Sequence, residues 1–425
     1  MKANLYFQHT LFKATGCFAL MAAMGGFLSC SSELEGEKDF RHIQDARPIV
    51  LELTEKIETD NSFAFDLFRT TCQLSGETNV FVSPLSVNLA LSMTMNGAAG
   101  ETMDEMKEAL KAKAYSMDAI NKYNKALREA LLNIDPSTDI SIANSIWYDK
   151  ALDVKKAFIS VNKDYYDAEV KALDFRSSNV VKQINDWASD KTKKKIPKII
   201  EALSPDEVMC LINAIYFKGV WRLKFNKSDT QEENFYPENA SMHPVNMMKQ
   251  TALFLYSEDD YCRYLRMAFG NWAFNMVMML PKDGQTVDDV IANLHNESWH
   301  DAMKTMGSYE VNLCLPRFKT ECSYEMQNSI LPAMGMQIPF SDDADFSGIS
   351  DASLKITRVI HKTFVDVNEE GAEAAAATAV VMAPTAVESP SIPKIDYVVN
   401  KPFAFAICEN STGVILFVGK MGDIR

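Results

Sequence analysis

The chain has 425 residues, 47% hydrophobic and 24% charged, enough for a large core that buries roughly three quarters of the unfolded surface. Its net charge of −14 speaks against a nucleic-acid binder, which would need a basic face to neutralise phosphates. The cysteines show no Cys-x-x-Cys pair and no histidine at metal-ligand spacing, so neither a metal nor a cofactor is expected.

Residues 1–29 read as a targeting segment. Lys2 and Lys13 supply positive charge, and Ala14 to Leu28 is small and apolar but too short to be a comfortable membrane span. Phe27-Leu28-Ser29-Cys30 resembles a bacterial lipoprotein cleavage site, which would make Cys30 the lipidated first residue; Phe27 stands where a smaller aliphatic residue is usual. Several acyl chains on one cysteine hold a protein firmly to a membrane where a single chain does not. The expected location is the outer membrane, with the cell surface favoured by the acidic start Ser31-Ser32-Glu33-Leu34-Glu35; a secreted or periplasmic protein is the alternative. Residues 30–60 then form a polar tether, and 61–425 one folded domain without internal repeats or a dividing linker. Six cysteines remain in that domain, a number that permits disulfides without requiring them.

In chain order, Asn61 to Leu74 has helical periodicity carried by Phe63, Phe65, Leu67 and Phe68. Asn79 to Ser83 is a short strand that breaks at Pro84, where proline is well placed to start the helix running on to Met95. Ile140 to Tyr148 alternates as a strand does, and Val180 to Ala188 is an amphipathic helix followed by a run of lysines that reads as a solvated face. Val208 to Phe217 is an apolar run and therefore a buried strand, within which Asn213 must be hydrogen-bonded. Trp272 to Leu280 is a second largely buried strand. Val359 to Val367 alternates again, and two strands, Tyr397 to Phe405 and Gly413 to Gly419, close the chain.

Two serines invite a hydrolase reading. Ser83 has no flanking nucleophile-elbow glycines, and Gly348-Ile349-Ser350-Asp351-Ala352 follows no strand and precedes no convincing helix. Both read as structural.

Between the last strands lies the stretch that organises the chain. Val367 to Thr385 opens on acidic residues, turns at Gly371 and runs through four alanines into β-branched residues. Alanine favours helix, yet no apolar stripe of helical period is present and the segment ends in Thr378, Val380, Val381 and Pro384. It reads better as an accessible loop able to become a strand. One face of that strand would carry Ala372, Ala374, Ala376, Thr378, Val380 and Met382, none of them charged.

Glu369-Glu370-Gly371-Ala372-Glu373-Ala374-Ala375-Ala376-Ala377-Thr378 resembles the reactive-loop hinge of the serpins, the serine protease inhibitors. Further segments similar to that family occur in the family's order: Asn79 to Thr102, Phe217-Lys218-Gly219-Val220-Trp221, Leu315-Pro316-Arg317-Phe318, Leu331 to Phe346, and Asn400-Lys401-Pro402-Phe403. Ala404 departs from the last of these, where a larger apolar residue is usual. The resemblance spans nearly all of residues 60–425. It implies an α+β serpin fold, with three β-sheets, eight or nine helices and an exposed reactive-centre loop over about residues 368–392.

The resemblance also implies a suicide-substrate inhibitor rather than an enzyme. A serine protease would cut the loop, become acylated, and be carried along as the loop's N-terminal part enters a sheet. The hinge would be Glu370, Gly371, Ala372, Glu373, Ala374, Ala375, Ala376, Ala377 and Thr378. Family spacing from Gly371 places the reactive bond at Thr385-Ala386, with Met382 or Ala383 as fallbacks. Small residues there suit an elastase-like pocket, and no Arg or Lys occurs between Lys362 and Lys394 to suit a trypsin-like one. Ser83, Ser86, Asn213 and His361 match the family's polar shutter beneath the opening sheet, and Trp221 the breach at its top. The expected partners are serine proteases, with cysteine proteases as a secondary class; the protein itself is expected to be a monomer. The alternatives are a non-inhibitory binding protein of the same fold and a lipid-anchored hydrolase using Ser350 or Ser83.

Overall fold

The computed structural model describes residues 44–204, 207–372 and 392–425. Among these, nine α-helices surround fifteen strands, the expected α+β class. A six-stranded sheet runs in the order β10 (Phe318–Glu325), β11 (Val359–Asn368), β12 (Gly371–Ala372), β4 (Met209–Val220), β2 (Asp139–Asp149) and β3 (Glu169–Leu173). A nine-stranded network runs β1 (Asn79–Val82), β15 (Ile415–Met421), β14 (Phe403–Glu409), β8 (Phe274–Pro281), β7 (Cys262–Ala268), β6 (His243–Glu258), β9 (Gly307–Pro316) and β13 (Lys394–Val398), with β5 (Gln231–Phe235) also on β6.

Strand β6 explains why hydrogen bonding joins what are expected as separate sheets. Its 16 residues serve three neighbours: His243 to Met247 pair with β5, Met247 to Tyr256 with β9, and Leu255 to Glu258 with β7. By hydrogen bonding the described strands thus form two sheets, the larger one continuous through β6.

Helix α1 (Glu55–Leu74) begins inside the segment expected as tether, and Leu51 and Ile57 already belong to the core. Helix α2 (Pro84–Met95) has every residue buried, as a helix apolar nearly all round must. Ser83 caps it by accepting the Ser86 N–H, while Pro84 occupies the first turn, where a missing N–H costs nothing. One face of the six-stranded sheet packs on α2 and the main core; the other is covered by the helix Val180–Lys191, whose Trp187 meets Trp147 edge to face at 5.7 Å.

Two strand expectations need correcting. Trp272 is not in a strand: it has φ +70° in the turn before β8. Tyr397 to Phe405 is not one strand but the end of β13 and the start of β14, in different parts of the network. Pro402 lacks an N–H for a ladder bond, which is why the run breaks there.

Candidate functional site

The site is a gap in the six-stranded sheet. β11 and β4 run parallel and pair with each other only at Val359↔Leu211 and Ile360↔Ile212. At the other end β12 is wedged between them, with Ala372 opposite Val367 on one side and Gly219 on the other. Residues 361–366 of β11 and 213–218 of β4 have no ladder to one another. Strands held apart at one end and zipped at the other leave backbone groups that an added strand can satisfy.

The wedge depends on its residue types. Gly371 has φ +153°, and a Cβ there would fall 2.0 Å from the Gly219 carbonyl oxygen, so only glycine fits between the strands. Ala372 is 2% exposed on the sheet's core face, where a methyl group suffices.

Beneath the gap, Ser83, Ser86, Asn213 and His361 come together. The Ser83 N–H donates to His361 Nε2 at 2.9 Å and the Ser83 hydroxyl to the Leu416 carbonyl at 2.6 Å. The Ser86 hydroxyl donates to Asn213 Oδ1, and the Asn213 amide to Asn144 Oδ1. Thr363 donates from the same face to the Phe81 carbonyl at 2.6 Å. These bonds tie β11 and β4 to the N-terminus of α2 and leave the buried polar atoms partnered.

His361 meets the backbone of Ser83 and not its hydroxyl, so the two do not form a nucleophile and its base. Ser350 is buried too, its oxygen accepting the Ala352 N–H at 3.2 Å. Burial holds the His361 imidazole down, at about 3 against an ordinary 6.5. A base kept neutral in the fold but free to protonate in the unfolded chain weakens the fold as pH falls below 6.5, by about 1.4 kcal/mol per unit until about pH 3. Denaturant unfolding at pH 7 and pH 5 should therefore show His361→Asn losing about 2 kcal/mol less than the parent on acidification. An equal loss in both would remove His361 as the source.

At the top of the gap, Trp221 stacks on Phe269 at 4.4 Å and donates its indole N–H to the Asn368 carbonyl at 2.9 Å. The Trp221 and Phe225 backbone N–H groups hold the Glu370 and Glu369 carbonyls at 2.8 and 3.0 Å. Both acidic side chains are nearly inaccessible to water. Glu370 faces Lys224 at 3.1 Å and Lys227 at 3.0 Å, and Glu369 takes Arg317 Nε at 2.7 Å and the Thr230 hydroxyl. Burial pushes the Glu369 carboxyl upward, but the Arg317 and Thr230 hydrogen bonds outweigh it and hold it below the ordinary carboxylate value.

The structure thus brings together Ser83, Ser86, Asn213, Trp221, His361, Glu370, Gly371 and Ala372 around one gap. Glu373, Ala374, Ala375, Ala376, Ala377, Thr378, Thr385, Ala386 and Cys30 lie outside the described residues. Sequence reasoning missed Asn144 and Thr363 beneath the gap, and Arg317, Lys224 and Lys227 at its top. Lys224 and Lys227, three apart just beyond Trp221, were the one visible hint. Cys72, Cys210, Cys262, Cys314, Cys322 and Cys408 are all free thiols.

A family model described as "Serpin (serine protease inhibitor)" matches residues 58–424. An uncharacterised serpin-like protein of Thermococcus kodakarensis is 36% identical, over 85% of this chain and 84% of its own length. Human Serpin B3 is 34% identical over 86% of this chain and 98% of its own, and the leukocyte elastase inhibitor of Sus scrofa 33% identical over 87% and 100%. Among solved structures, the native thermophilic serpin tengpin superposes with a TM-score of 0.80 at 32% identity, covering 89% of this chain and 97% of tengpin. Thyroxine-binding globulin complexed with thyroxine superposes at 0.78 with 28% identity, covering 87% and 100%.

Proposed function

Since the chain belongs to the serpin family, we propose that it traps serine proteases by inserting its cleaved loop into the gap between β11 and β4. The observation that carries this reading is the wedge. Gly371 and Ala372 already stand as the first residues of an added strand.

Extending the wedge's register puts Ala374 between Phe217 and Val365, Ala376 between Ile215 and Thr363, and Thr378 between Asn213 and His361. The core-facing positions of the entering strand are then alanine, alanine and threonine, and Thr378 arrives at the polar shutter. Roughly ten new ladder hydrogen bonds at ~0.5–1.5 kcal/mol each drive entry with a total on the order of ten kcal/mol. Going beyond Thr378 requires parting the two pairs that zip β11 to β4, which the burial of Val380 and Met382 at ~1.5–3 kcal/mol each helps to offset.

Chemically, the protease serine oxygen attacks the Thr385 carbonyl carbon, and the bond to the Ala386 nitrogen breaks as that nitrogen takes a proton. The ester joining Thr385 to the protease then travels with the strand. Dragging the protease displaces its catalytic groups, and a displacement of about an ångström suffices to stop hydrolysis of the ester. Thr385 and its small neighbours favour an elastase-like target. The relative named leukocyte elastase inhibitor supports that class for a related chain. Thyroxine-binding globulin, complexed with thyroxine, shares the fold, so the fold also serves ligand binding; the uncharged hinge face is what favours inhibition here.

Mixing the protein with an elastase-type serine protease should give a band near the summed mass on a denaturing gel. Clean cleavage near Thr385 with protease activity retained would mean a plain substrate of serpin fold. Anchoring through Cys30 at the outer membrane belongs to the same reading; incorporation of labelled palmitate that Cys30→Ser abolishes would support it, and incorporation that survives would end it.

A further inference from the structure

Bordered by Trp221 lies a cavity of about 220 Å3 between the turn after β4 and strands β6 and β7. Its lining includes Trp221, Arg222, Phe254, Arg266, Met267 and Trp272. Leu223 and Leu253, two large apolar side chains left exposed, complete the wall. The volume lies below the ~300 Å3 at which drug-sized sites begin, so it suits a small ligand.

The polar groups of this cavity are out of balance. No carboxylate lines it. Arg222 is countered by Asp45 at 2.8 Å and lies 5.4 Å from the Trp272 ring centre. Arg266 has only the neutral side-chain oxygen of Asn410 for a partner and forms no ion pair among the described residues. Three buried donors, Arg222 Nη1, Arg266 Nε and Trp272 Nε1, have no hydrogen-bond partner, the first meeting Asp45 only as an ion pair. Such nitrogens are rare in native proteins and ask for an acceptor. Trp272 is also held at φ +70°, a costly conformation for a bulky side chain, and strain of this kind gathers at binding sites.

From this imbalance we infer that the cavity binds a small amphipathic anion, a carboxylate with an apolar body of medium length. The apolar body takes the aromatic and aliphatic walls, and the carboxylate supplies the charge and acceptors that Arg266 and Trp272 lack. A neutral apolar ligand would leave those donors unmet, and a cation would be repelled.

The test is titration of the full-length protein with decanoate below its micellar range, followed by tryptophan fluorescence and melting temperature. Saturable binding is expected, with a rise in melting temperature that grows with ligand concentration. Arg266→Gln should weaken it by about tenfold or more, and Trp272→Phe, which keeps a ring but loses the N–H, by several-fold. 1-Decanol should bind at least about tenfold more weakly than the acid. No saturable binding, equal binding of the alcohol, or unchanged affinity in both variants would overturn the inference. Because no protease is present, failure here leaves the inhibitory reading standing.

Discussion

Ala374→Arg should abolish the covalent adduct and turn the protein into a substrate that is cut and released while the protease stays active. In the extended register, residue 374 enters between Phe217 and Val365, on the face that packs against the main core. A guanidinium arriving there has no carboxylate to meet, and burying an unpaired charge costs several kcal/mol. That cost falls on insertion and leaves acylation untouched, since the protease recognises residues near Thr385. Trapping is a race between insertion and hydrolysis of the ester, and a barrier raised by about 3 kcal/mol slows insertion more than a hundredfold. The adduct band should therefore vanish while the rate of cleavage holds. Ala372→Arg probes the same step less cleanly, because Ala372 is already packed between Val367 and Gly219 and the substitution also disturbs the intact hinge. An undiminished adduct from Ala374→Arg would mean that the loop does not enter this gap.

Much of this gap was legible in the sequence because its parts are local. Ser83 followed by Pro84 is a helix start, Val359 to Val367 alternates as a strand must, and a glycine between acidic residues and alanines marks a pivot. The wedge itself was not legible: nothing in Gly371-Ala372 says that two residues already pair with strands on both sides in the intact protein. Nor was the path of β6, since the point where a long strand leaves one partner for another is set by distant neighbours. Helix α2 is buried all round and lacks the amphipathic period that usually announces a helix; Pro84 announced it instead. Asn213 read correctly as an amide needing partners, but one of them, Asn144, lies on the strand next door. The Tyr397 to Phe405 error was avoidable, because Pro402 in its middle argued against a continuous strand.

The ion pair at the hinge shows most plainly what one sequence hides, and it carries the second large effect. Arg317 and Glu369 are 52 residues apart, and nothing in the sequence around either names the other. In the structure the Glu369 carboxylate is 2% exposed, yet its cover is thin and Arg317 remains 42% exposed. Removing the arginine leaves the carboxylate charged, desolvated and held by the Thr230 hydroxyl and its own backbone N–H. Loss of a fully buried partner costs about 3–5 kcal/mol, and the open side of Arg317 lowers the expectation for Arg317→Met to about 2 kcal/mol. Denaturant unfolding at pH 7 should report that loss. The double variant Arg317→Met with Glu369→Gln should recover part of it, because the stranded charge is gone. The pH dependence has a definite sign. Glu369 titrates below an ordinary carboxylate, so its pairing stabilises the fold above the usual carboxylate range and the contribution fades as pH falls through the depressed value. The gap between parent and Arg317→Met should therefore be widest near neutrality and close in acid. Since Glu369 and Glu370 present the carbonyls that hold Phe225 and Trp221, loosening this pair should also free the top of the gap. A single variant as stable as the parent, or a double variant that recovers nothing, would show that the hinge is held by its backbone bonds and that the charges merely decorate it.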